Sequence, residues 1–321
     1  MITGGAGFIG SVLTAYLLDH GYEVVVVDDL STGHSQRIDS RARFIHASIL
    51  EKSALVAALV GVNTVIHCAA KSLVEESVSS PDLYNQMNTE GTRDLLEAMN
   101  EAGVLNIIFS STAAVYGDSK LQPILESCEI KPVNPYGKSK IEAERLISTF
   151  CSNGFAGITF RYFNVAGSYQ SSYGQLHIED HKNETHLIPK IMKNYIKSKE
   201  KSQVEIYGDT WPTKDGSCVR DYLHVTDLAH AHLLALDAIK VGKNQVFNLG
   251  SGIGYSVFEV VNEIENVVGH KLNQVVSPAR SGDPAILLAD IDKARKELGW
   301  IPRANLSQII LDSWQGAKQL G

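Results

Sequence analysis

Tyr136 and Lys140 stand four residues apart in the stretch Asn134-Pro135-Tyr136-Gly137-Lys138-Ser139-Lys140. On a helix that spacing puts both side chains on one face. A phenol titrates near about 10 and is a poor base at neutral pH; bringing it toward 7 takes about 4 kcal/mol. One ammonium about 4 Å away supplies roughly that much at an effective dielectric near 20. The pair has the chemistry of a base and its tuner. Tyr-x-x-x-Lys also arises by chance, so its meaning depends on the elements that position it.

Those elements are legible. Asn134 suits a helix N-cap and Pro135 the first helical position, where a missing N–H costs nothing. Ile141, Ala143, Leu146, Ile147 and Phe150 follow at helical spacing, and Gly154 offers a stop. Upstream, Ser110-Ser111-Thr112 closes an apolar run, Asn106–Ser110. One of these hydroxyls is expected beside Tyr136.

The start of the chain carries a second signal. Gly4-Gly5-Ala6-Gly7-Phe8-Ile9-Gly10 places glycines at Gly4, Gly7 and Gly10 between a short strand, Ile2-Thr3, and a helix expected over Ser11–His20. Glycine there lets backbone N–H groups approach a pyrophosphate, and the helix N-terminus favours the anion. The next strand, Glu23–Val27, ends at Asp28, where a carboxylate can bond both adenosine ribose hydroxyls. Asp28 with Asp29 would repel a 2′-phosphate, so the expected cofactor is NAD and not NADP. Only Met1-Ile2 precede Thr3, whereas a strand has about 5–6 residues, so a few N-terminal residues are expected to be missing from the sequence.

Further short apolar runs alternate with helical patterns such as Glu90–Glu101: Arg43–His46, Thr64–His67, Gly157–Tyr162 and Gln245–Leu249. The expected fold is α/β, a Rossmann-like doubly wound parallel sheet with a smaller C-terminal substrate-binding lobe. Residues 1–164, joined by 219–250, are expected to form the nucleotide side, and 165–218 with 251–321 the substrate side. Ligands in such sheets lie beyond the carboxyl ends of strands, here Cys68-Ala69-Ala70, Ser110-Ser111-Thr112 and Phe163-Asn164.

Composition narrows the classes. The 321 residues are 44% hydrophobic and 20% charged with a net charge of -7, which argues against a nucleic-acid or anionic-membrane surface as the main partner. No apolar run has the length of a membrane span. Cys68, Cys128, Cys151 and Cys218 are widely spaced, so reduced thiols and a cytoplasmic location are expected, with no disulfide framework and no metal site.

Thr3-Gly4-Gly5-Ala6-Gly7-Phe8-Ile9-Gly10, Ser110 to Gly117 and Pro135 to Lys140 resemble the extended short-chain dehydrogenase/reductases. Arg161-Tyr162-Phe163-Asn164, Glu184-Thr185-His186-Leu187-Ile188-Pro189, Asp215 to Tyr222 and Arg280-Ser281-Gly282-Asp283 narrow the resemblance to the UDP-glucose 4-epimerase family, almost end to end. The resemblance implies that Tyr136 is the base, that Lys140 binds the nicotinamide ribose and tunes Tyr136, and that Thr112 bridges the sugar O4 and the tyrosine. It places Gly4, Gly7, Phe8, Ile9, Gly10, Asp28, Ile49, Ala69, Ala70, Asn88 and Phe163 with Thr112, Tyr136 and Lys140 against NAD. It places Asn164, His186, Leu187, Tyr207, Arg220, Arg280, Asp283 and Leu287 with Thr112 and Tyr136 against a UDP-sugar, Leu287 facing the substituent at sugar C2. Guanidinium forks suit the diphosphate. Some contacts depart from the family: Ser48 precedes Ile49 where many members have an aspartate, Ser72 follows Lys71 where some have a lysine, and Met87 stands where asparagine is frequent.

The implied reaction is removal of the 4-hydroxyl proton with hydride loss from C4, rotation of the 4-keto sugar, and return of hydride to its other face. A UDP-N-acetylglucosamine or UDP-glucuronate 4-epimerase is the alternative, and a non-catalytic NAD(H)-sensing scaffold is the alternative of another class. A 4,6-dehydratase would carry Asp-Glu where this chain has Ala113-Ala114. A homodimer through Glu90–Glu101 and Tyr136–Phe150 is what the family implies.

Overall fold

The computed structural model describes residues 1–181, 184–198, 202–280 and 282–320. Ser281, in the Arg280–Asp283 stretch, lies outside them. Seven strands form one sheet: β1 (Ile2–Thr3), β2 (Val25–Asp28), β3 (Arg43–His46), β4 (Thr64–His67), β5 (Asn106–Thr112), β6 (Ala156–Tyr162) and β7 (Asn244–Leu249). Their order across the sheet is β7-β6-β5-β4-β1-β2-β3. Every pairing is parallel.

The central strands are rich in Val, Ile and Phe because helices cover them on both sides. On one face Ile2, Val26, Ile66, Ile108 and Phe160 pack with the Phe8–Asp19 and Val225–Ala238 helices. On the other, Val27, Val65, Ile107 and Phe109 pack with the Gly91–Ala102 and Pro135–Ser152 helices. Parallel strands bring all their carboxyl ends to one edge. The order reverses between β1 and β4, which is where such sheets open a crevice.

The first helix starts at Phe8, three residues earlier than the apolar pattern indicated. The glycine loop is so short that the helix rises directly from it. A Cβ on Gly10 would lie 2.1 Å from the carbonyl oxygen of Gly4, and Gly4 itself has φ +73° and presses on the Ala69 backbone.

Smaller sheets build the second lobe. Val219–His224 pairs with Asn164–Ala166, Gly254–Ser256 and Ile286–Leu287, and Gln203–Tyr207 pairs with Asn273–Ser277. Their core includes Ile188, Met192, Val204, Val260, Ile264 and Ile310. The expected boundary put 219–250 with the nucleotide side. The structure splits that segment: β7 joins the large sheet, whereas among the described residues Val219–His224 pairs with strands of the small one. An apolar run cannot tell which sheet it enters, because both bury it.

Candidate active site

Asn134 caps the Pro135–Ser152 helix through its side-chain oxygen, which accepts from the Gly137 N–H at 2.8 Å. That cap fixes the first turn, so Tyr136 and Lys140 project together toward the end of β5. Lys140 Nζ donates to the Ser110 carbonyl at 2.8 Å and lies over the Phe109 ring. Of the three hydroxyls closing β5, Thr112 is the one beside the Tyr136 phenol, and its oxygen accepts from the Ala114 N–H at 3.1 Å. The other two are engaged elsewhere: Ser111 donates to Glu144 at 2.5 Å, and Ser110 meets Tyr162 at 2.9 Å.

The electrostatics correct one expectation. Burial pushes Tyr136 up to about 12, with the Thr112 hydrogen bond pulling the other way, and burial lowers Lys140 to about 8. The ammonium favours the phenolate, but loss of water around both groups penalises each charged form. Burial therefore disfavours the phenolate form of Tyr136.

Tyr136 opens onto a cleft of about 900 Å³. Its walls include Gly4, Gly7, Phe8, Ile9, Gly10, Asp28, Ile49, Ala69 and Ala70 on one side, with Thr112, Tyr136, Lys140 and Phe163 at its middle. Asn164, His186, Leu187, Tyr207, Arg220, Arg280, Asp283 and Leu287 form the other side. Asn88 alone among the expected site residues does not line it. Its amide is spent internally, accepting from the Lys71 N–H and donating to the Lys71 carbonyl and Ser139 Oγ. Asn88 fixes the Lys71 loop to the Tyr136 helix, while Lys71 and Met87 do reach the cleft. Ser48 points off it, with Ala47 and Ile49 on either side facing in.

The residues present fit NAD. Asp28 is held at the end of β2 by the N–H groups of Ala6 (2.9 Å) and Leu30 (2.8 Å), which aim a carboxylate at the rim of the glycine loop. The loop is a cradle that side chains would fill: a Cβ on Gly4 would sit 2.6 Å from the Ala69 nitrogen. Above it the N-terminus of the Phe8–Asp19 helix points its free N–H groups into the cleft.

On the far side Arg280 stacks on the Tyr207 ring with its guanidinium carbon 3.8 Å from the centroid. Arg220 donates to the Val219 and Pro284 carbonyls through Nη1, and its Nη2 stands 4.0 Å from Asp283. Leu287 is in register with Arg220 across their parallel pairing. Of Ile286, Leu287 and Leu288, only Leu287 lines the cleft, as strand alternation requires. Asn164 is in register with Tyr222 across their parallel pairing. His186 turns Nδ1 toward Glu179 (2.8 Å) and Glu184 (2.9 Å).

Several site residues escaped the sequence reading. Glu144, one helical turn beyond Lys140, pairs with Arg161 of β6 and receives Ser111. A glutamate on the apolar face of a helix was the available signal. Tyr84 stands edge-on to Tyr136 at 6.3 Å and is fully buried, which nothing local foretold.

Comparison with known proteins agrees with this geometry. The model of the NAD dependent epimerase/dehydratase family matches residues 1–250. A UDP-glucose 4-epimerase of Corynebacterium glutamicum is 43% identical over 323 residues, covering 100% of this chain and 96% of that protein. The structure of the Bifidobacterium longum UDP-glucose 4-epimerase in complex with NAD+ and UDP superposes with a TM-score of 0.92 at 34% identity, over 99% of this chain and 97% of that one. The UDP-Glc/GlcNAc 4-epimerase of Campylobacter jejuni superposes with a TM-score of 0.84 at 34% identity, over 99% and 98%. This chain belongs to the NAD dependent epimerase/dehydratase family.

Proposed function

We propose that this chain is an NAD-dependent UDP-glucose 4-epimerase, interconverting UDP-glucose and UDP-galactose through a 4-keto sugar. The observation that carries the reading is the junction of Thr112, Tyr136 and Lys140 at the middle of one cleft, with the glycine loop and Asp28 at one end and Arg220 and Arg280 at the other.

In this reading Gly4, Gly7, Phe8, Ile9, Gly10, Asp28, Ile49, Ala69, Ala70 and Phe163 hold NAD. When bound, the cofactor supplies a reversible hydride acceptor and, oxidised, a cationic ring in a site whose phenol needs one. Ionised to the phenolate, Tyr136 takes the proton of the sugar 4-hydroxyl as hydride leaves C4, and gives it back when hydride returns. Thr112, beside that phenol, orients the hydroxyl, and Lys140 is held by Ser110 against the same strand end. Arg220 and Arg280 bind the diphosphate as guanidinium forks. Asn164, Leu187, Tyr207 and Asp283 complete the nucleotide-sugar side, with His186 in its wall. Binding energy placed on UDP rather than on the hexose leaves the sugar free to turn over.

A non-catalytic NAD(H) sensor would have no use for Thr112, Tyr136 and Lys140 gathered on one cleft wall. A UDP-N-acetylglucosamine substrate is the second reading, favoured by Leu287 standing on the cleft wall. Residues 1–164 with the Val225–Ala238 helix and β7 serve the cofactor, and the remainder serves the nucleotide-sugar. A cytoplasmic homodimer belongs to the same proposal: the four cysteines are free thiols, and no described helix is long and apolar enough to cross a membrane.

The test is conversion of UDP-galactose by purified protein without added NAD, followed through a coupled UDP-glucose dehydrogenase. Formation of UDP-glucose, with NAD released on denaturation, supports the proposal. No conversion by NAD-loaded protein overturns it.

A further inference from the structure

Between the strand Leu176–Ile178 and the helix Leu187–Ser198 the chain runs Glu179-x-His181-x-x-Glu184-x-His186. One ligand atom from each of these four side chains lies within 4.8 Å of all the others. Nδ1 of His181 stands 3.6 Å from Glu179 and 3.2 Å from Glu184, and Nδ1 of His186 stands 2.8 Å and 2.9 Å from the same two carboxylates. A ring nitrogen carries one proton and can direct it at one acceptor. Each here is shared between two carboxylates, so protons satisfy at most half of the approaches.

The carboxylates are also withdrawn from water, with side chains 8% and 3% exposed for Glu179 and Glu184. Glu179 Oε2 is buried without a hydrogen-bond partner among the described residues. No described lysine or arginine makes a hydrogen bond or ion pair to either carboxylate, although Arg37 lies near enough to feel both charges. Arg37 reaches the Asp180 carbonyl at 3.4 Å, and Lys193 reaches the Asp180 carboxylate at 3.2 Å and the His181 carbonyl at 3.1 Å. Two buried carboxylates facing two imidazoles, with one oxygen left over, are a charge deficit that a dication would close.

We propose that Glu179, His181, Glu184 and His186 form a closed structural zinc site. Zinc bonds to imidazole nitrogen and carboxylate oxygen at about 2.0–2.2 Å, so the edge of a tetrahedral site is about 3.3–3.6 Å. The observed approaches bracket that edge. Two nitrogen ligands set zinc apart from calcium and magnesium, which take oxygen. Four protein ligands leave no open position, so the ion is a clasp and not a catalyst. It would fasten the strand end to the first turn of the helix that carries Leu187 into the cleft. The inference does not depend on which reaction the cleft performs.

The test uses tag-free full-length protein stripped with a chelator and dialysed, titrated with zinc sulfate against a chromophoric competitor. The expected result is one zinc per chain with Kd below about 1 µM, weakened at least about 100-fold in Glu184→Gln and in His181→Asn. Cobalt in place of zinc should give the visible bands of a tetrahedral site. Circular dichroism checks that the variants fold. If they do not, X-ray absorption at the zinc edge of the wild-type protein decides, with four nitrogen or oxygen neighbours at about 2.0–2.2 Å expected. Zinc bound no more tightly by the wild type than by folded variants overturns the proposal, and so does sulfur scattering, which would move the ion to the cysteines.

Discussion

Arg161 and Glu144 meet face to face beneath the candidate active site, Nε to Oε1 at 3.1 Å and Nη2 to Oε2 at 2.6 Å, with both side chains almost wholly buried. The pair ties β6 to the Tyr136 helix, and Ser111 of β5 joins it through Glu144. Glu144→Ala leaves an uncompensated buried guanidinium and should destabilise the fold by about 3–5 kcal/mol. Urea unfolding of the variant at neutral pH measures this. A loss under 1 kcal/mol would mean that water reaches Arg161.

Tyr136→Phe removes the phenol oxygen and nothing else from the proposed site. Turnover of UDP-galactose should fall by at least about 100-fold while UDP still binds. Thr112→Val should cost less, since it removes an orienting hydroxyl and not the base. Steady-state kinetics with a separate UDP-binding titration tests both, and near-normal turnover in Tyr136→Phe would end the assignment of the base.

Lys140 should leave a signature in both activity and stability. Removing its charge in Lys140→Ala should move the acidic limb of the activity profile to higher pH, because the phenolate loses a favourable neighbour. For stability, burial lowers Lys140 from 10.5 to about 8. The unfolded chain then binds the proton more tightly than the folded one. Unfolding free energy should therefore rise with pH between about 8 and 10.5, by about 3 kcal/mol from this group if the shift is fully expressed. Lys140→Met should lose that rise relative to wild type. Parallel slopes in denaturant titrations across this window would show that the amine is solvated.

Leu287 should grade the choice of sugar. Its side chain lines the cleft beside Arg220, and a pocket difference of a methylene or two is worth about 1–3 kcal/mol. UDP-glucose and UDP-galactose should be the main pair, with slower but measurable turnover of UDP-N-acetylglucosamine. Leu287→Tyr should suppress the acetamido activity selectively and Leu287→Ser should raise it. Equal changes in both activities would make Leu287 a packing residue.

What the sequence determined by itself was local. The Asn134 cap, the proline after it and the apolar spacing set the helix that turns Tyr136 and Lys140 the same way, and the structure begins that helix at Pro135. The β-branched runs gave strands whose ends agree within two residues, and the glycine loop with Asp28 followed from steric and anion-binding needs confined to one βαβ unit. The tertiary structure decided what depends on segments far apart. It left Thr112 beside Tyr136 by engaging Ser110 with Tyr162 of β6 and Ser111 with Glu144. It spent Asn88 on Lys71, joined Glu144 to Arg161, and sent Val219–His224 into the smaller sheet. It also reversed the expected shift of Tyr136, since an ammonium can be counted from a sequence but the water removed around a phenol cannot.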